Sequence, residues 1–257
     1  MEFRHNEVCM GTVFQYFGRS EIAVDDAIAA STKILHEADE IFSLYKPDSP
    51  LSLLANGKTS IEDLPEIVSF VWGECEKWNQ LTDGWFNAMT LQNTFDPSGY
   101  VKAWATNQAA LKLQEFDIRD FAINAGGDIY LSDEVASGLP QRIAVANAVS
   151  IADSSKPLLV LDLNNTKFRA VATSGIAERG NHIWDPKSNL TADEFRQVTV
   201  VAEDLITADV LATALFAAGS QVETLLAKFK NQIEVLIIDQ GGKTTATSGF
   251  AKLVSPV

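Results

Sequence analysis

The sequence has few cysteines, no long apolar run and a shortage of positive charge. Cys9 and Cys75 are the only cysteines among 257 residues, and they stand in unrelated contexts without C-x-x-C spacing. They therefore indicate neither a disulfide framework nor a thiolate zinc site. No uninterrupted apolar run approaches about 18 residues, and the first residues lack the apolar core of a secretory signal. From these absences we expect a cytoplasmic protein with no membrane partner.

The shortage of Lys and Arg limits the large partners that the chain can attract. Lys and Arg number 20 against 34 Asp and Glu, which gives a formal net charge of −14. Duplex nucleic acid is bound largely through cations that displace its counterions, so we expect no nucleic-acid partner. A small phosphate-bearing ligand remains compatible with an acidic chain, provided that local cations, backbone N–H groups or a metal neutralise it.

Composition and apolar periodicity predict one α+β domain over residues 1–257. Hydrophobic residues make up 46% of the chain, enough to bury a sizeable core, and no segment is of low complexity. Helical periodicity covers residues 22–44, 64–81 and 207–219, and a further helix follows Asp96-Pro97. Short strands are predicted at 11–18, 121–124, 129–131, 142–145, 158–162, 168–172, 197–202 and 234–238. Partial segregation of strands from helices favours α+β over a doubly wound parallel sheet.

Residues 172–186, ATSGIAERGNHIWDP, hold more polar chemistry than a core segment needs. Near pH 7, His182 could accept a proton from a hydroxyl nucleophile, although a lone histidine is more often structural. Arg179 and Asp185 on either side, and Ser174 in an expected loop, favour the functional interpretation.

Asp209 and Thr213 are four residues apart on a predicted helix, so their side chains share one face. A carboxylate and a hydroxyl are hard oxygen ligands of the kind that Mg²⁺ accepts, with waters and substrate phosphates completing the octahedron. The simpler alternative is that Thr207 caps the helix and Asp209 favours its positive end. Spacing alone favours the simpler alternative, because such pairs are common.

Two further segments each allow both a structural and a functional interpretation. Asp96 and Pro97 are typical of a helix start, and Lys102 one turn later could hold phosphate at an exposed helix N-terminus. In residues 124–128, Asn-Ala-Gly-Gly-Asp, the glycine pair predicts a hairpin turn with positive φ. Glycine would equally permit close approach of the backbone to a ligand.

Several segments between residue 10 and about residue 219 occur in the order of a known family. They are Met10-Gly11-Thr12, residues 42–52, 96–102 and 124–128, Ser174-Gly175, and residues 182–186 and 208–214. Together they resemble the ApbE-type FAD:protein FMN transferases. The resemblance implies a Mg²⁺-dependent enzyme that cleaves the pyrophosphate of FAD, attaches FMN to a threonine hydroxyl of an acceptor protein of an electron-transfer system, and releases AMP.

The resemblance also assigns roles to individual residues. It implies that His182 deprotonates the acceptor threonine, and that Asp209, Thr213 and a backbone carbonyl near Gly99 hold Mg²⁺. The FAD-binding residues that it implies are Met10, Tyr45, Trp85, Phe86, Asn87, Asp96 and Lys102. The alternative for Tyr45 and Phe86 is that their side chains only pack in the core. The alternative for Met10 is that it fills a gap in the core.

The chain departs from the family pattern in three places. The segment between Asn87 and Phe95 is shorter than usual, Asn87 stands where an acid is common, and Ala103 follows Lys102 where glycine is usual. Two other functions therefore stay open. One is a Mg²⁺-dependent FAD pyrophosphatase that uses water as acceptor, and the other is a non-catalytic FAD-binding protein. The presence of His182 and Asp209 argues against the non-catalytic alternative, because storage needs neither a base nor a metal ligand.

Overall fold

A computed structural model describes residues 1–132, 142–148, 156–176 and 183–255. The strands in these ranges are β1 Glu2–Cys9, β2 Thr12–Arg19, β3 Asp120–Ala125, β4 Asp128–Leu131, β5 Arg142–Val145, β6 Leu159–Asp162, β7 Ala170–Gly175, β8 Phe195–Ala202, β9 Glu234–Asp239 and β10 Thr244–Ala246. The helices are α1 Asp25–Phe42, α2 Pro50–Ala55, α3 Glu66–Leu81, α4 Ser98–Glu115, α5 Leu205–Ala218, α6 Val222–Lys228 and α7 Phe250–Leu253.

One large antiparallel sheet organises these elements. Its strand order is β1-β2-β3-β4-β7-β8-β9-β10, and every neighbouring pair is antiparallel. Strands β5 and β6 form a separate antiparallel ribbon. Antiparallel strands grouped in one sheet, with helices packed on it, confirm the predicted α+β class.

Both faces of the sheet are covered, because alternate side chains of its strands enter two different hydrophobic clusters. Val198 and Val200 of β8 belong to the larger cluster, which includes residues of α1, α4 and α5. Val201 and Leu236 point the other way, into a smaller cluster with Phe250 of α7 and residues of β5 and β6. This two-sided burial explains why β8 is apolar along most of its length instead of alternating with polar residues.

Helix α5 is the central helix of the larger cluster, and most of its residues are buried. Residues Leu205–Lys228 are long and apolar enough to cross a membrane, but 72% of the most apolar window is buried inside the fold. Such burial is typical of a core helix. Asp204 caps α5, since its carboxylate accepts hydrogen bonds from the Thr207 N–H at 2.8 Å and from the Thr207 hydroxyl at 2.7 Å. The prediction that Thr207 is the cap is therefore wrong.

Several elements differ from the sequence prediction. Strands β1 and β10 and helices α2, α6 and α7 were not anticipated. In β1 exposed residues alternate with half-buried ones, so its apolar pattern is weak. Pro50 begins α2, and Ser49 caps that helix by accepting the N–H of Ser52. Helix α4 begins at Ser98 rather than Pro97, although the Asp96 carboxylate still accepts the Ser98 N–H at 3.0 Å.

Two neighbouring hairpin turns lie at one end of the sheet. Met10 and Gly11 join β1 to β2 with φ of 50° and 68°, and Gly126 and Gly127 join β3 to β4 with φ of 64° and 102°. Positive φ at both central residues is typical of a type I′ turn, so the predicted glycine hairpin is confirmed. A Cβ on Gly126 would overlap the hydroxyl of Thr12, which makes glycine necessary where the two turns meet.

We predict that Gly126→Ala lowers the free energy of unfolding by more than about 2 kcal/mol, because backbone strain and the clash with Thr12 add. Gly57→Ala is the matched control, since Gly57 has φ of 65° and nothing within 4 Å of a built Cβ. In the control only backbone strain acts, so its free energy of unfolding should fall by about 1 kcal/mol. Urea denaturation of both variants measures the difference. Equal losses would contradict the close contact of the two hairpins.

Candidate functional site

A cavity of about 400 Å³ lies where the first turn of α4, the β3–β4 turn, β7 and α5 come together. This volume is within the usual range of small-molecule sites. Eight of the eleven predicted site residues contribute to its lining, namely Trp85, Phe86, Asn87, Asp96, Gly99, Lys102, Asp209 and Thr213. The fold therefore brings together residues that are separated by more than a hundred positions in the chain.

Two predicted site residues, Met10 and Tyr45, stand apart from this cavity. Met10 occupies the β1–β2 turn and packs, partly buried, against the main core. Tyr45 is 97% exposed and does not line the cavity. His182 lies outside the described residues, so its role as base stays a prediction from the sequence.

The charged centre of the cavity is the ammonium group of Lys102. It forms a short ion pair with Asp128 in β4, and its Nζ lies 3.4 Å from Oδ2 of Asp209 in α5. The three side chains are 19%, 7% and 11% exposed, respectively. The second oxygen of Asp128 accepts the N–H of Thr173 in β7 at 3.0 Å. Charges this far from water must be paired, so Lys102 fixes α4 against both β4 and α5.

The environment of Asp209 fits a bound cation. Its Oδ2 atom is buried and accepts no hydrogen bond from the described residues, although the Lys102 ammonium is near. One turn later, Thr213 Oγ1 lies 3.2 Å from Ser174 Oγ, and Gly99 lines the same cavity from the first turn of α4. Asp209 itself is in the second turn of α5 and 8% exposed. Its charge is therefore not placed to stabilise the positive end of the helix, which was the simpler alternative for this residue.

The chemistry of these donors favours Mg²⁺ over zinc. Within residues 1–132, 142–148, 156–176 and 183–255, no group of three His, Cys, Asp or Glu side chains is arranged to hold a metal ion. Mg²⁺ needs no such cage, because it binds through one or two carboxylates and keeps several waters beside substrate phosphates. The Asp209 carboxylate and the Thr213 hydroxyl, which both line the cavity, are oxygen donors of the kind that Mg²⁺ accepts.

An aromatic wall closes the cavity beside α4. Trp85 and Phe86 are 8% and 3% exposed, and both belong to the main core as well as to the lining. A Cβ at Gly99 would stand 3.3 Å from the Phe86 ring, so glycine lets this ring pack against the helix start. Asn87 uses Oδ1 to accept the Met89 N–H at 2.9 Å, which fixes the turn that follows the wall.

The short segment after Asn87 forms a narrow antiparallel loop. Met89 pairs with Phe95, and the Asp96 N–H donates to Ala88 O at 2.7 Å. Ala88 and Thr90 line the cavity, whereas Met89 and Phe95 line an apolar groove on the other side. The shortened segment is thus a two-sided wall of the site.

A sequence profile of the ApbE family matches residues 88–237. The chain belongs to the ApbE family. This match includes the Asp96, Lys102, Asp128, Asp209 and Thr213 positions of the cavity.

Relatives within the ApbE family carry a common name. The chain is 30% identical over 169 residues to an FAD:protein FMN transferase of Haemophilus influenzae, covering 62% of this chain and 48% of the relative. It is 32% identical over 172 residues to the FAD:protein FMN transferase of Vibrio cholerae, covering 62% and 50%. The chain therefore matches about half the length of these curated relatives.

Solved structures extend the similarity of fold to the whole chain. The ApbE protein of Thermotoga maritima superposes with a TM-score of 0.82 at 21% identity, with full coverage of both chains. The flavin transferase ApbE of Vibrio cholerae superposes with a TM-score of 0.80 at 24% identity, covering 98% and 99%. At these identities the superpositions establish the ApbE fold alone.

Sequence reasoning missed part of this ApbE cavity. The sequence pattern predicts for Asp128 only a place at the end of a turn, yet a carboxylate at the start of the apolar strand Asp-Ile-Tyr-Leu is a signal of a buried ion pair. Arg196, Gln197 and residues 143–148 also line the cavity. Nothing in their local pattern distinguishes them from other strand residues, because only the sheet order brings them to the site.

We predict that Lys102→Met lowers the free energy of unfolding by about 3 kcal/mol, because it leaves two buried carboxylates without their cation. Mg²⁺ should recover part of this loss by supplying positive charge. Lys77→Met is the control, since the Lys77 side chain is 62% exposed and its pair with Glu74 is at the surface. It should cost less than about 1 kcal/mol. Urea titrations with and without Mg²⁺ give both values, and similar small losses would contradict an anchoring role for Lys102.

Proposed function

We propose that this protein is an FAD:protein FMN transferase that depends on Mg²⁺ and uses a threonine of an acceptor protein. The observation that carries the proposal is the buried Asp209 Oδ2 atom, which accepts no hydrogen bond from the described residues although the Lys102 ammonium lies 3.4 Å away. The name of the two curated relatives supports the same activity.

The charge balance of the cavity supports a requirement for metal. Asp96, Asp128 and Asp209 line the cavity together with the cations Lys102 and Arg196, and the ammonium of Lys102 is shared between Asp128 and Asp209. A pyrophosphate brought to these carboxylates would be repelled unless additional positive charge accompanied it. Asp209 and Thr213, with a carbonyl near Gly99, would hold Mg²⁺, which neutralises charge on the phosphate oxygens when bound.

The reaction exchanges one phosphorus–oxygen bond for another. The acceptor hydroxyl oxygen bonds to the FMN-side phosphorus of FAD, and the bond from that phosphorus to the bridging oxygen breaks, so that AMP leaves with the bridging oxygen. The hydroxyl proton passes to a base, the role that the sequence predicts for His182. Such a transfer depends on positioning and charge neutralisation more than on covalent participation of the enzyme.

The residues of this chain supply the positioning. Trp85 and Phe86 line the cavity with aromatic side chains, which suit a ring system of the substrate. The Asp96 carboxylate uses Oδ1 to accept the Ser98 N–H, which leaves its other oxygen for a polar group of the ligand. Lys102 keeps Asp128 and Asp209 in place, so the donors are preorganised before substrate binds.

The decisive experiment incubates the protein with FAD and Mg²⁺, with and without a threonine-bearing acceptor from a flavin-carrying electron-transfer system. We expect the acceptor to gain the mass of one FMN while AMP is released. AMP together with free FMN, and no change in acceptor mass, would instead indicate the pyrophosphatase. Intact bound FAD would indicate a non-catalytic binding protein.

We predict that Asp209→Asn lowers transferase activity about a hundredfold or more while the protein stays folded, because the isosteric amide cannot provide the same charge to a metal. Binding should report the same defect, since Mg²⁺ with FAD should raise the Tm of the unmodified protein but not of the variant. Asp204→Asn is the control on the same helix, since asparagine also caps well. Unchanged turnover in Asp209→Asn would refute the metal assignment.

A further inference from the structure

Lys187 places a positive charge at the rim of the cavity. Its Nζ lies 4.0 Å from the centroid of the Trp85 ring, and its side chain is otherwise exposed. Trp85 lines the cavity, and so does Pro186, which directly precedes the lysine. The ammonium therefore stands between solvent and the aromatic wall.

The backbone beneath Lys187 is held in a fixed turn. The Asp185 carboxylate accepts the N–H of Lys187 at 2.7 Å and the hydroxyl of Ser188 at 2.6 Å, while the Asp185 N–H donates to Leu190 O. Burial raises the pKa of the Asp185 carboxyl, but the hydrogen bonds from Ser188 and the backbone, together with the positive charge of Lys187, outweigh it and keep the pKa below its usual value. The carboxylate is therefore ionised at neutral pH, and the turn it organises keeps Lys187 beside Trp85.

Among the described residues, Lys187 differs from Lys102 in forming no close ion pair with a carboxylate. Lys102 is shared between Asp128 and Asp209, whereas no carboxylate oxygen of a described residue lies within 4.0 Å of the Lys187 ammonium. Contact of an exposed ammonium with an aromatic face is weak, comparable to an exposed ion pair. The cation can consequently exchange this contact for an anionic group of a ligand.

We propose that Lys187 is a substrate-binding residue that contacts the phosphate groups of the dinucleotide at the rim of the cavity. This inference rests on the proposed function, since it takes FAD as the ligand. In the free protein the ammonium rests on Trp85, and in the complex it pairs with a phosphate oxygen. Lys187 thereby favours ligands with phosphate over ligands that present only a flat ring.

The test compares a ligand with phosphates and one without. FAD and riboflavin share the flavin ring, but only FAD carries the pyrophosphate. Dissociation constants are measured by fluorescence titration with Mg²⁺ and no acceptor protein, over a period in which chromatography shows FAD intact. The variants are Lys187→Met, Lys187→Arg and the control Lys243→Met, an exposed lysine between β9 and β10 outside the cavity lining.

We expect Lys187→Met to weaken FAD binding about fivefold and to reduce its dependence on salt, because one ion pair is lost. Its riboflavin affinity should stay unchanged, and Lys187→Arg and Lys243→Met should bind FAD as the unmodified protein does. An equal loss for FAD and riboflavin would mean that Lys187 only positions Trp85, and no loss for either would also overturn the inference. Failure of the unmodified protein to bind FAD would refute the proposed function itself.

Discussion

The ammonium group of Lys102 lies between two carboxylates from different parts of the chain, Asp128 at the start of β4 and Asp209 within α5. Each of these groups would be costly to bury alone, and each is tolerable only beside the others. Helix α4 can therefore pack against the sheet and α5 only in the arrangement that brings the three charges together. The packing of α4 in the core therefore depends on the polar centre of the cavity. The ion pairs of Lys102 stabilise the fold and also position the side chains of the site.

Helix α5 shows how far local sequence patterns can predict such a site. Its continuous apolar composition and the four-residue spacing of Asp209 and Thr213 correctly placed both side chains on one face, and both line the cavity. The same patterns did not identify the helix start, because Asp204 and Thr207 are both plausible caps and only the structure shows which side chain accepts the N–H. Nor could spacing reveal the ion pair of Lys102 with Asp209, since a contact between α4 and α5 is not encoded in either helix alone.

Family resemblance supplied what local patterns could not, but with uneven results. It pointed to Trp85, Phe86 and Asn87, which the structure brings to the cavity next to the helix start at Asp96. It also pointed to Met10 and Tyr45, which lie outside the lining. Met10 occupies a left-handed turn position, and the family pattern carries no information about how the shortened segment after Asn87 reshapes the neighbouring wall. A residue can keep its place in a motif while the surrounding chain changes what it touches.

The acidity of the chain need not oppose a phosphate-bearing substrate, because electrostatic interactions in salt solution act over about 8 Å. The formal net charge of −14 is spread over the whole surface, whereas the substrate meets only the groups around the cavity. There, Lys102 offsets the buried carboxylates Asp128 and Asp209, while Lys187 at the rim has no described carboxylate within 4.0 Å. A polyanion that covers a wide surface would experience the whole negative field, but a dinucleotide that enters the cavity would experience mainly the charges around the cavity, both the carboxylates and the cations. Placement of a few charges, rather than their sum, thus determines which phosphates the protein can accept.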